Sequence, residues 1–373
     1  MVGFILLLVV VVGFAWNLGV HYTGAVMGMP RAARAISDGP ALVLIAILTI
    51  LGATFASGGV EVTVGQNIVP AGRIGIADAT VIVLAAGALT MLFNYLKIPT
   101  STIQILIFCV VGVGLAGNIP IAWATIISLA IVWVIAPVVA FVLGFVFTRL
   151  LDLLVPLQAS RAQATEQIAA LKRSDTPNPG NTSFARWFPA VAMPLSAGAR
   201  QEAEEGSGSL PASVTLLCVR WLPALLVAVG MAASFVLGAN DVSNATGVLI
   251  MTQTFSLREA GLIGGVAMAV GALTWGRRIL RTVAFDVVEM DLAMASSAQG
   301  VQALVVLAAV SQGLFTSMNQ ALIGAMAGTG LARGKETVQR RQIVGIFRGW
   351  LIGPASGMGL AYLLEWLARI MVG

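Results

Sequence analysis

The chain has 373 residues and a formal net charge of +5; 58% of its residues are hydrophobic and only 10% are charged. This composition leaves too little polar surface to coat a soluble globule, so it excludes a water-soluble domain and predicts a protein that crosses a membrane several times. In a soluble protein the basic excess would suggest nucleic acid as a partner. Here we interpret the basic residues as loop markers that orient helices, and we expect no nucleic-acid partner.

About ten apolar runs are long enough to cross about 30 Å of hydrocarbon as helices. The sequence lacks the alternating strands that mark an outer-membrane barrel, so we predict an all-α fold, because only helices then satisfy backbone groups in lipid. We interpret the first run as a retained helix, since it has neither the basic start nor the cleavage pattern of a signal peptide. In chain order the runs cover roughly 2–26, 41–57, 78–96, 103–118, 120–148, 214–237, 259–274, 292–314, 318–332 and 343–368.

A polar segment divides the chain into an N-terminal transmembrane repeat, 1–156, and a C-terminal one, 214–373. The segment, 157–213, mixes Pro, Gly, Ser and balanced charge, so we expect a largely disordered cytoplasmic linker with one short helix near its start. With this linker in the cytoplasm, seventeen Lys and Arg residues face the cytoplasm and three face out. This bias predicts a multi-pass protein of the cell inner (plasma) membrane with both termini outside.

The two halves repeat each other in sequence. Gly19 matches Gly238 at a spacing of 219, and PTSTIQ (99–104) matches FTSMNQ (315–320) at a spacing of 216. A nearly constant offset over more than eighty residues is poorly explained by chance. Each half has five spans, which is an odd number, so the second half is expected to cross the membrane with the opposite orientation. Such inverted-topology repeats, with broken helices meeting at the midplane, are typical of secondary transporters.

The stretch GANDVSNATG, residues 238–247, places polar side chains inside an apolar run. A carboxylate at membrane depth costs about 3 kcal/mol even on a lenient scale, so Asp241 indicates a functional site. The flanking glycines favour an interrupted helix, which offers N–H groups to anions and carbonyls to cations. We predict that Asp241, with Asn240, binds the coupling ion, either Na⁺ as a metal ligand or a proton. The amides of Asn240 and Asn244 are expected to bind substrate oxygen. The alternative is that these polar side chains only form hydrogen bonds that hold neighbouring helices together.

Two hydroxyl-rich motifs, PTSTIQ and FTSMNQ, each begin an apolar run. Unpaired N–H groups and the helix dipole favour an anion at such a position, and side-chain hydroxyls add further donors. Simple N-capping is the alternative, although the duplication favours binding. The candidate substrate-binding residues, in addition to the two amides of the GANDVSNATG stretch, are Thr23, Thr100, Ser101, Thr102, Thr316, Ser317 and Asn319.

These residues carry a resemblance to the inorganic phosphate transporter (PiT) family, whose two inverted halves each bear a GANDxANA-type motif and a later P-x-S-x-T-type stretch. The chain is similar to it closely at GANDVSNATG and FTSMNQALIGAMAGTGLARG, recognisably at IPTSTIQ, and with support from GRRILRTVAFDVVEMD. The resemblance extends over essentially all of the chain outside the central segment. It implies a site for a tetrahedral oxyanion and coupling cations, formed by Asn240, Asp241, Asn244, Ser101 and Ser317.

The first half departs from the family pattern. Where GANDVSNA would repeat, the chain reads GVHYTGAV, so His21, Tyr22 and Ala25 stand at the Asn, Asp and Asn positions. Sulfate carries no proton near neutral pH and is repelled by each added carboxylate, whereas hydrogen phosphate offers a proton that a carboxylate accepts. The missing carboxylate therefore favours sulfate, as in the sulfate-permease branch, which this chain resembles in its degenerate first motif. The retained Asp241 favours phosphate.

Three further titratable residues stand in or beside apolar runs. His21 suggests proton coupling, because histidine ordinarily titrates near pH ~6.5; a hydrogen-bonded packing residue is the alternative. We expect Glu61 and Glu289 to lie near span ends, at the membrane interface or in salt bridges. Cys109 and Cys218 lie far apart in apolar runs, which indicates neither a disulfide framework nor a metal cluster.

The sequence thus predicts a secondary symporter that takes up inorganic phosphate with Na⁺ or H⁺, and a sulfate permease of the same fold is the alternative. No P-loop GxxxxGK[ST] occurs, and we expect no cofactor beyond the coupling ion. A membrane-embedded lipid-phosphate enzyme is a remote alternative, because one histidine without a carboxylate cluster supports it poorly, and a channel is another. The expected partners are the anion and the lipid bilayer, with a homodimer expected only by analogy.

Overall fold

A computed structural model describes residues 1–70, 72–96, 100–156, 159–160, 162–163, 165, 183–206, 211–280, 290–334 and 340–372. These residues are mostly helical, and no strand occurs among them. The first half contains α1 (Val2–Ala32), α2 (Asp38–Phe55), α3 (Gly58–Gln66), α4 (Ile76–Tyr95), α5 (Thr102–Ala116) and α6 (Trp123–Leu154). The central segment contains α7 (Ser183–Trp187), α8 (Pro189–Ala192) and α9 (Ala197–Glu205). The second half contains α10 (Ala212–Asp241), α11 (Ser243–Met251), α12 (Leu257–Thr274), α13 (Leu292–Ser311), α14 (Met318–Ala332) and α15 (Arg340–Val372).

Within the described residues, seven helical stretches are long and apolar enough to span a membrane. They are α1, α2, most of α4, α6, the joined pair α10 and α11, α12 and α13. Helix α5 is apolar but shorter, with 15 residues. The predicted all-α membrane fold is therefore confirmed. Each of the ten predicted runs overlaps a described helix, but the number of ten spans stays a prediction.

Helices of equal length recur in the two halves. Helices α2 and α12 have 18 residues each, α4 and α13 have 20 each, and α5 and α14 have 15 each. Their contacts recur as well, because α2 packs on α10 while α12 packs on α1. Likewise, α5 packs along α15 and α14 packs along α6. The last long helix of each half therefore lies against the 15-residue helix of the other half.

Glycines allow the helices of the two halves to cross closely. A Cβ atom on Gly238 of α10 would lie 2.0 Å from the carbonyl oxygen of Thr49 on α2. A Cβ atom on Gly52 of α2 would lie 1.9 Å from the carbonyl oxygen of Phe235 on α10. Small residues at helix interfaces are the usual means by which membrane helices approach closely, so this crossing depends on the absence of both side chains.

We expect Gly238→Ala to destabilise the protein by about 1–3 kcal/mol, because the added methyl group overpacks a backbone contact that has no room to yield. Gly13→Ala in α1 is the matched control, since nothing lies within 4 Å of the Cβ position at Gly13. Both changes add one methyl group to a helical glycine. Thermal unfolding in detergent measures the difference, and equal melting temperatures for the two variants would contradict this packing.

The prediction of a broken helix in the first half is wrong. Helix α1 continues without interruption from Val2 to Ala32, through His21 and Tyr22. The side chains that compete for backbone hydrogen bonds in GANDVSNA are replaced here, so the helix is free to continue. In the second half α10 ends at Asp241 and α11 begins at Ser243, with Val242 between them at φ −58° and ψ −39°. That interruption is therefore one residue wide and not an unwound stretch.

Part of the central segment is folded. Backbone bonds tie it to the first half: Ser37 N–H donates to the carbonyl of Trp187, and Ala190 N–H donates to the carbonyl of Arg34. The expectation of disorder is therefore wrong for 183–206, because the chain there forms short helices that hydrogen bond to the turn between α1 and α2 and pack on α10. The short helix expected at 159–173 lies mostly outside the described residues.

A buried ion cluster joins the ends of three helices. The guanidinium Nη2 of Arg333, just after α14, lies 2.8 Å from Asp152 Oδ1 of α6 and 3.4 Å from Asp291 Oδ1. Asp291 also caps α13 by accepting from the backbone N–H groups of Ala293 and Met294. The side chains of Arg333 and Asp291 are only 2% and 3% exposed, whereas that of Asp152 is 23% exposed.

Candidate functional site

Asp241 lies at the end of α10 with a fully buried side chain. The Asn240 Nδ2 donates to Asp241 Oδ2 at 2.9 Å and to the backbone carbonyl of Thr316 at 2.9 Å. The backbone N–H of Thr316 donates in return to Asn240 Oδ1 at 3.2 Å. The Asn240 amide therefore fixes the segment before α14 against the end of α10.

Asn244 connects the same carboxylate to the first half. Its Nδ2 donates to Asp241 Oδ1 at 3.2 Å and to Thr102 Oγ1 at 3.1 Å. The Thr102 hydroxyl lies 2.8 Å from the Tyr22 hydroxyl. Residues from α1, α5, α10 and α11 therefore meet around one carboxylate. We call Tyr22, Thr102, Asn240, Asp241, Asn244 and Thr316 the Asp241 cluster.

Two helices begin at the Asp241 cluster. Helix α5 starts at Thr102 with Ser101 as its N-cap, and α14 starts at Met318 with Ser317 as its N-cap. The Ser317 hydroxyl accepts from Gln320 N–H at 3.4 Å, whereas the Ser101 side chain makes no capping bond. First-turn N–H groups have no partner within their own helix, and together with the dipole they favour negative charge. The arrangement therefore offers anion-binding groups from both halves.

Several buried polar atoms around the cluster have no hydrogen-bond partner within the described residues. They include Ser101 Oγ, Thr316 Oγ1, Asn244 Oδ1 and both amide atoms of Gln320. Leaving such an atom unpaired costs about 1–3 kcal/mol, so buried unpaired groups need an explanation. The two hydroxyls can donate to an oxyanion, and the Asn244 oxygen beside the Asp241 carboxylate can ligate a hard cation.

Thr23, His21 and Asn319 make their side-chain contacts outside this hydrogen-bond network. The Thr23 hydroxyl lies 2.8 Å from the carbonyl oxygen of Val20 and 3.2 Å from that of Gly276, so it lies between α1 and the segment after α12. His21 Nε2 and Asn319 Nδ2 lie 3.5 Å apart and form a separate pair. The His21–Asn319 pair adjoins the Asp241 cluster, because the His21 and Tyr22 ring centroids lie 4.8 Å apart in a T-shaped arrangement.

The expectation for Glu61 is wrong. Its side chain is fully buried in α3, and Oε1 lies 2.8 Å from the Thr246 hydroxyl. It forms no salt bridge with a described residue, because α3 packs against α11 instead of facing the interface. Tyr22 is the second residue that sequence reasoning missed, since it was noted only as a lost carboxylate and not as a hydroxyl donor. Glu289 lies outside the described residues.

A cavity of about 860 Å³ lies between α5, α6, α14 and α15. Trp133, Phe141 and Trp350 line it, and its polar contributors include Gln104 and Gln320. A surface this apolar cannot compensate the desolvation of a doubly charged anion. We therefore assign the candidate anion site to the Asp241 cluster and not to this cavity.

The chain is similar to known transport proteins along most of its length. A family model described as the phosphate transporter family matches residues 18–361. The inorganic phosphate transporter 2-1, chloroplastic, of Arabidopsis thaliana is 24% identical over 410 residues, covering 95% of this chain and 70% of that protein. The sulfate permease CysP of Bacillus subtilis is 24% identical over 354 residues, covering 94% and 84%. A putative phosphate permease of Thermococcus kodakarensis is 24% identical over 410 residues, covering 96% and 97%.

The fold is also similar to a solved structure, a sodium-dependent phosphate transporter, with a TM-score of 0.78 and 21% identity. The match covers 99% of this chain and 100% of that one. The family and these relatives are transporters and not enzymes, which confirms the resemblance drawn from the sequence motifs. Since the family model spans nearly the whole chain, this multi-pass membrane protein belongs to the phosphate transporter family.

Proposed function

We propose that the protein is a secondary symporter that takes up inorganic phosphate across the cell inner membrane together with a cation. One observation carries the proposal: the Asp241 cluster joins a buried carboxylate to the starts of α5 and α14, one from each half. A helix start supplies donors for an oxyanion, and the carboxylate supplies charge for a cation. The same buried cluster can therefore hold both ions at once, which is what coupled transport requires.

The anion is held by hydroxyls and first-turn N–H groups. Ser101 and Thr316 donate through hydroxyls that are otherwise unpaired, and Thr102 and Ser317 add their own groups at the two helix starts. Asn240 and Asn244 orient the carboxylate between them. Phosphate is favoured because Asp241 can accept the proton of hydrogen phosphate.

Sulfate is the second candidate anion. Tyr22 stands where the family pattern has a carboxylate, and it contributes a neutral hydroxyl to the cluster. One negative charge fewer lowers the repulsion of a dianion that has no proton to share. The sulfate permease among the relatives supports keeping this alternative.

The coupling ion is Na⁺, held by the Asp241 carboxylate with the free Oδ1 of Asn244. Carboxylate and amide oxygens are suitable ligands for a hard cation, and the sodium-dependent structural neighbour supports the choice. Proton coupling through the His21–Asn319 pair is the alternative, because histidine changes charge near neutral pH.

The paired helix lengths and contacts support an inverted repeat of 1–156 and 214–373. The distribution of Lys and Arg residues supports ten spans with both termini outside. The long helix of each half, α6 or α15, packs against the 15-residue helix of the other half. This arrangement would let one repeat rock against the other around a fixed site. Alternating access then requires that the Asp241 cluster stay at the junction between halves while the surrounding helices tilt.

Uptake by reconstituted vesicles tests the proposal. Labelled phosphate and labelled sulfate are supplied separately, and Na⁺ and pH gradients are imposed one at a time. We expect phosphate uptake that depends on an inward Na⁺ gradient and exceeds sulfate uptake. Faster sulfate uptake would show that sulfate is the substrate. A response to the pH gradient with none to the Na⁺ gradient would show that H⁺ is the coupling ion in place of Na⁺, and uptake of neither anion would contradict symport.

A further inference from the structure

The Glu61 carboxyl group lies against α11, the helix that carries Asn244. Glycines allow this contact: a Cβ atom on Gly247 would lie 2.3 Å from the Val64 side chain, and α3 packs closely there. Glu61 is fully buried, its Oε1 lies 2.8 Å from Thr246 Oγ1, and its Oε2 has no partner within the described residues. Glu61 and the Asp241 cluster are therefore connected through a single short helix.

The hydrogen bonds of Thr246 indicate the protonation state of Glu61. Thr246 Oγ1 lies 2.9 Å from the carbonyl oxygen of Val242 as well as 2.8 Å from Glu61 Oε1. One hydroxyl has one proton, so it cannot donate fully to two acceptors. If Glu61 is protonated, it donates to Thr246 while Thr246 donates to Val242, and both contacts become hydrogen bonds.

No charged partner balances Glu61 within the described residues. Helix α3 packs on α10, α11, α12 and α13, and of these α11 and α13 carry no charged side chain. The charges on the other two are Arg220 and Asp241 of α10 and Arg258 and Glu259 of α12. Arg220 is exposed and donates to Met193, Arg258 is exposed, and Glu259 is exposed and held by Ser256. A buried carboxyl group without a cation is more stable in its neutral form.

We propose that Glu61 is a second coupling site, which binds a proton and releases it during each transport cycle. The inference rests on the proposed transport of an oxyanion and adds H⁺ to the ions that move with it. Binding at the Asp241 cluster moves α11 through Asn244. Thr246, two residues after Asn244 on α11, transmits that movement to Glu61 on α3. When α11 shifts and water reaches the free Oε2, the carboxyl group loses its proton on the side to which it opens.

Infrared spectroscopy of the purified protein tests protonation without any need for transport. Glu61→Gln retains the contact with Thr246, because the amide donates where the protonated carboxyl group did. The matched control is Glu259→Gln at the exposed start of α12, where glutamine also serves in a capping box. We expect a protonated-carboxyl band near neutral pH that disappears in Glu61→Gln and persists in Glu259→Gln. An unchanged band in Glu61→Gln would overturn the proposal.

Transport in vesicles tests the coupling. With the membrane potential held at zero, one coupled proton allows about a tenfold greater anion accumulation per pH unit of gradient, since one pH unit equals about 1.4 kcal/mol. We expect Glu61→Gln to lose about this factor of ten per pH unit while retaining exchange of labelled phosphate at equal pH. Wild-type accumulation by Glu61→Gln would overturn the proposed role of Glu61 and leave the proposed symport intact. Absence of exchange by the wild-type protein would instead overturn the proposed symport, and the inference with it.

Discussion

Asp241→Asn is expected to abolish ion-coupled anion uptake while the protein still inserts and folds. The variant keeps the shape of the side chain but removes the only charge in the Asp241 cluster. Asn240 and Asn244 both donate to this carboxylate, so an amide nitrogen in the same place would face donors and lose at least one bond. Loss of a charged partner worth about 3 kcal/mol lowers the uptake rate by at least about a hundredfold, which would leave no measurable coupled uptake.

Asp78→Asn is the matched control for that experiment. Asp78 lies in the first turn of α4 and pairs with Arg369, away from the Asp241 cluster. Initial rates of labelled phosphate uptake into vesicles measure both variants, and circular dichroism checks their helix content. Wild-type uptake by Asp241→Asn would remove Asp241 from the mechanism.

Arg333→Met is expected to destabilise the protein by about 3–5 kcal/mol, because it leaves the buried Asp291 and the partly exposed Asp152 without their cation. Methionine preserves most of the side-chain volume, so loss of charge accounts for the effect. The ion cluster joins α6, α13 and α14, and its loss should therefore loosen the long helix of the first half from the short helix of the second. Thermal unfolding in detergent measures the change.

The control for Arg333→Met is Arg277→Met. Arg277 pairs with Asp38 at 3.2 Å, but its side chain is 62% exposed. Exposed ion pairs contribute about 0–1 kcal/mol, so this variant should unfold close to the wild-type temperature. Equal destabilisation by the two changes would show that the buried cluster adds nothing beyond an ordinary surface pair.

Apolar run length was sufficient to predict the helices. The predicted run 318–332 is α14 to the residue, and 259–274 differs from α12 only at its start. Helix type and approximate bounds follow from how much of a segment must lie in lipid, which is a local property. The number of spans and the orientation depend on the membrane, which residue patterns indicate only indirectly.

The candidate site was predicted in its chemistry and only partly in its contacts. The sequence placed Asp241, Asn244 and Thr102 at one site, and their hydrogen bonds bring them together. It could not place Glu61, because burial of that carboxyl group depends on the packing of α3 against a helix almost two hundred residues away. The sequence also could not indicate that the Tyr22 hydroxyl lies in the cluster, because the orientation of that side chain depends on α1 being continuous. The positions of both side chains depend on packing between distant segments, which local sequence patterns do not encode.

One buried cluster is expected to hold a tetrahedral oxyanion between the starts of α5 and α14. Crystals grown with Na⁺ and arsenate, a phosphate analogue whose arsenic scatters anomalously, test it most directly. We expect one anomalous peak within hydrogen-bond distance of Ser101 and Thr316, next to Asp241. A peak confined to the protein surface or to the apolar cavity beside Trp133, with none at the cluster, would contradict the account.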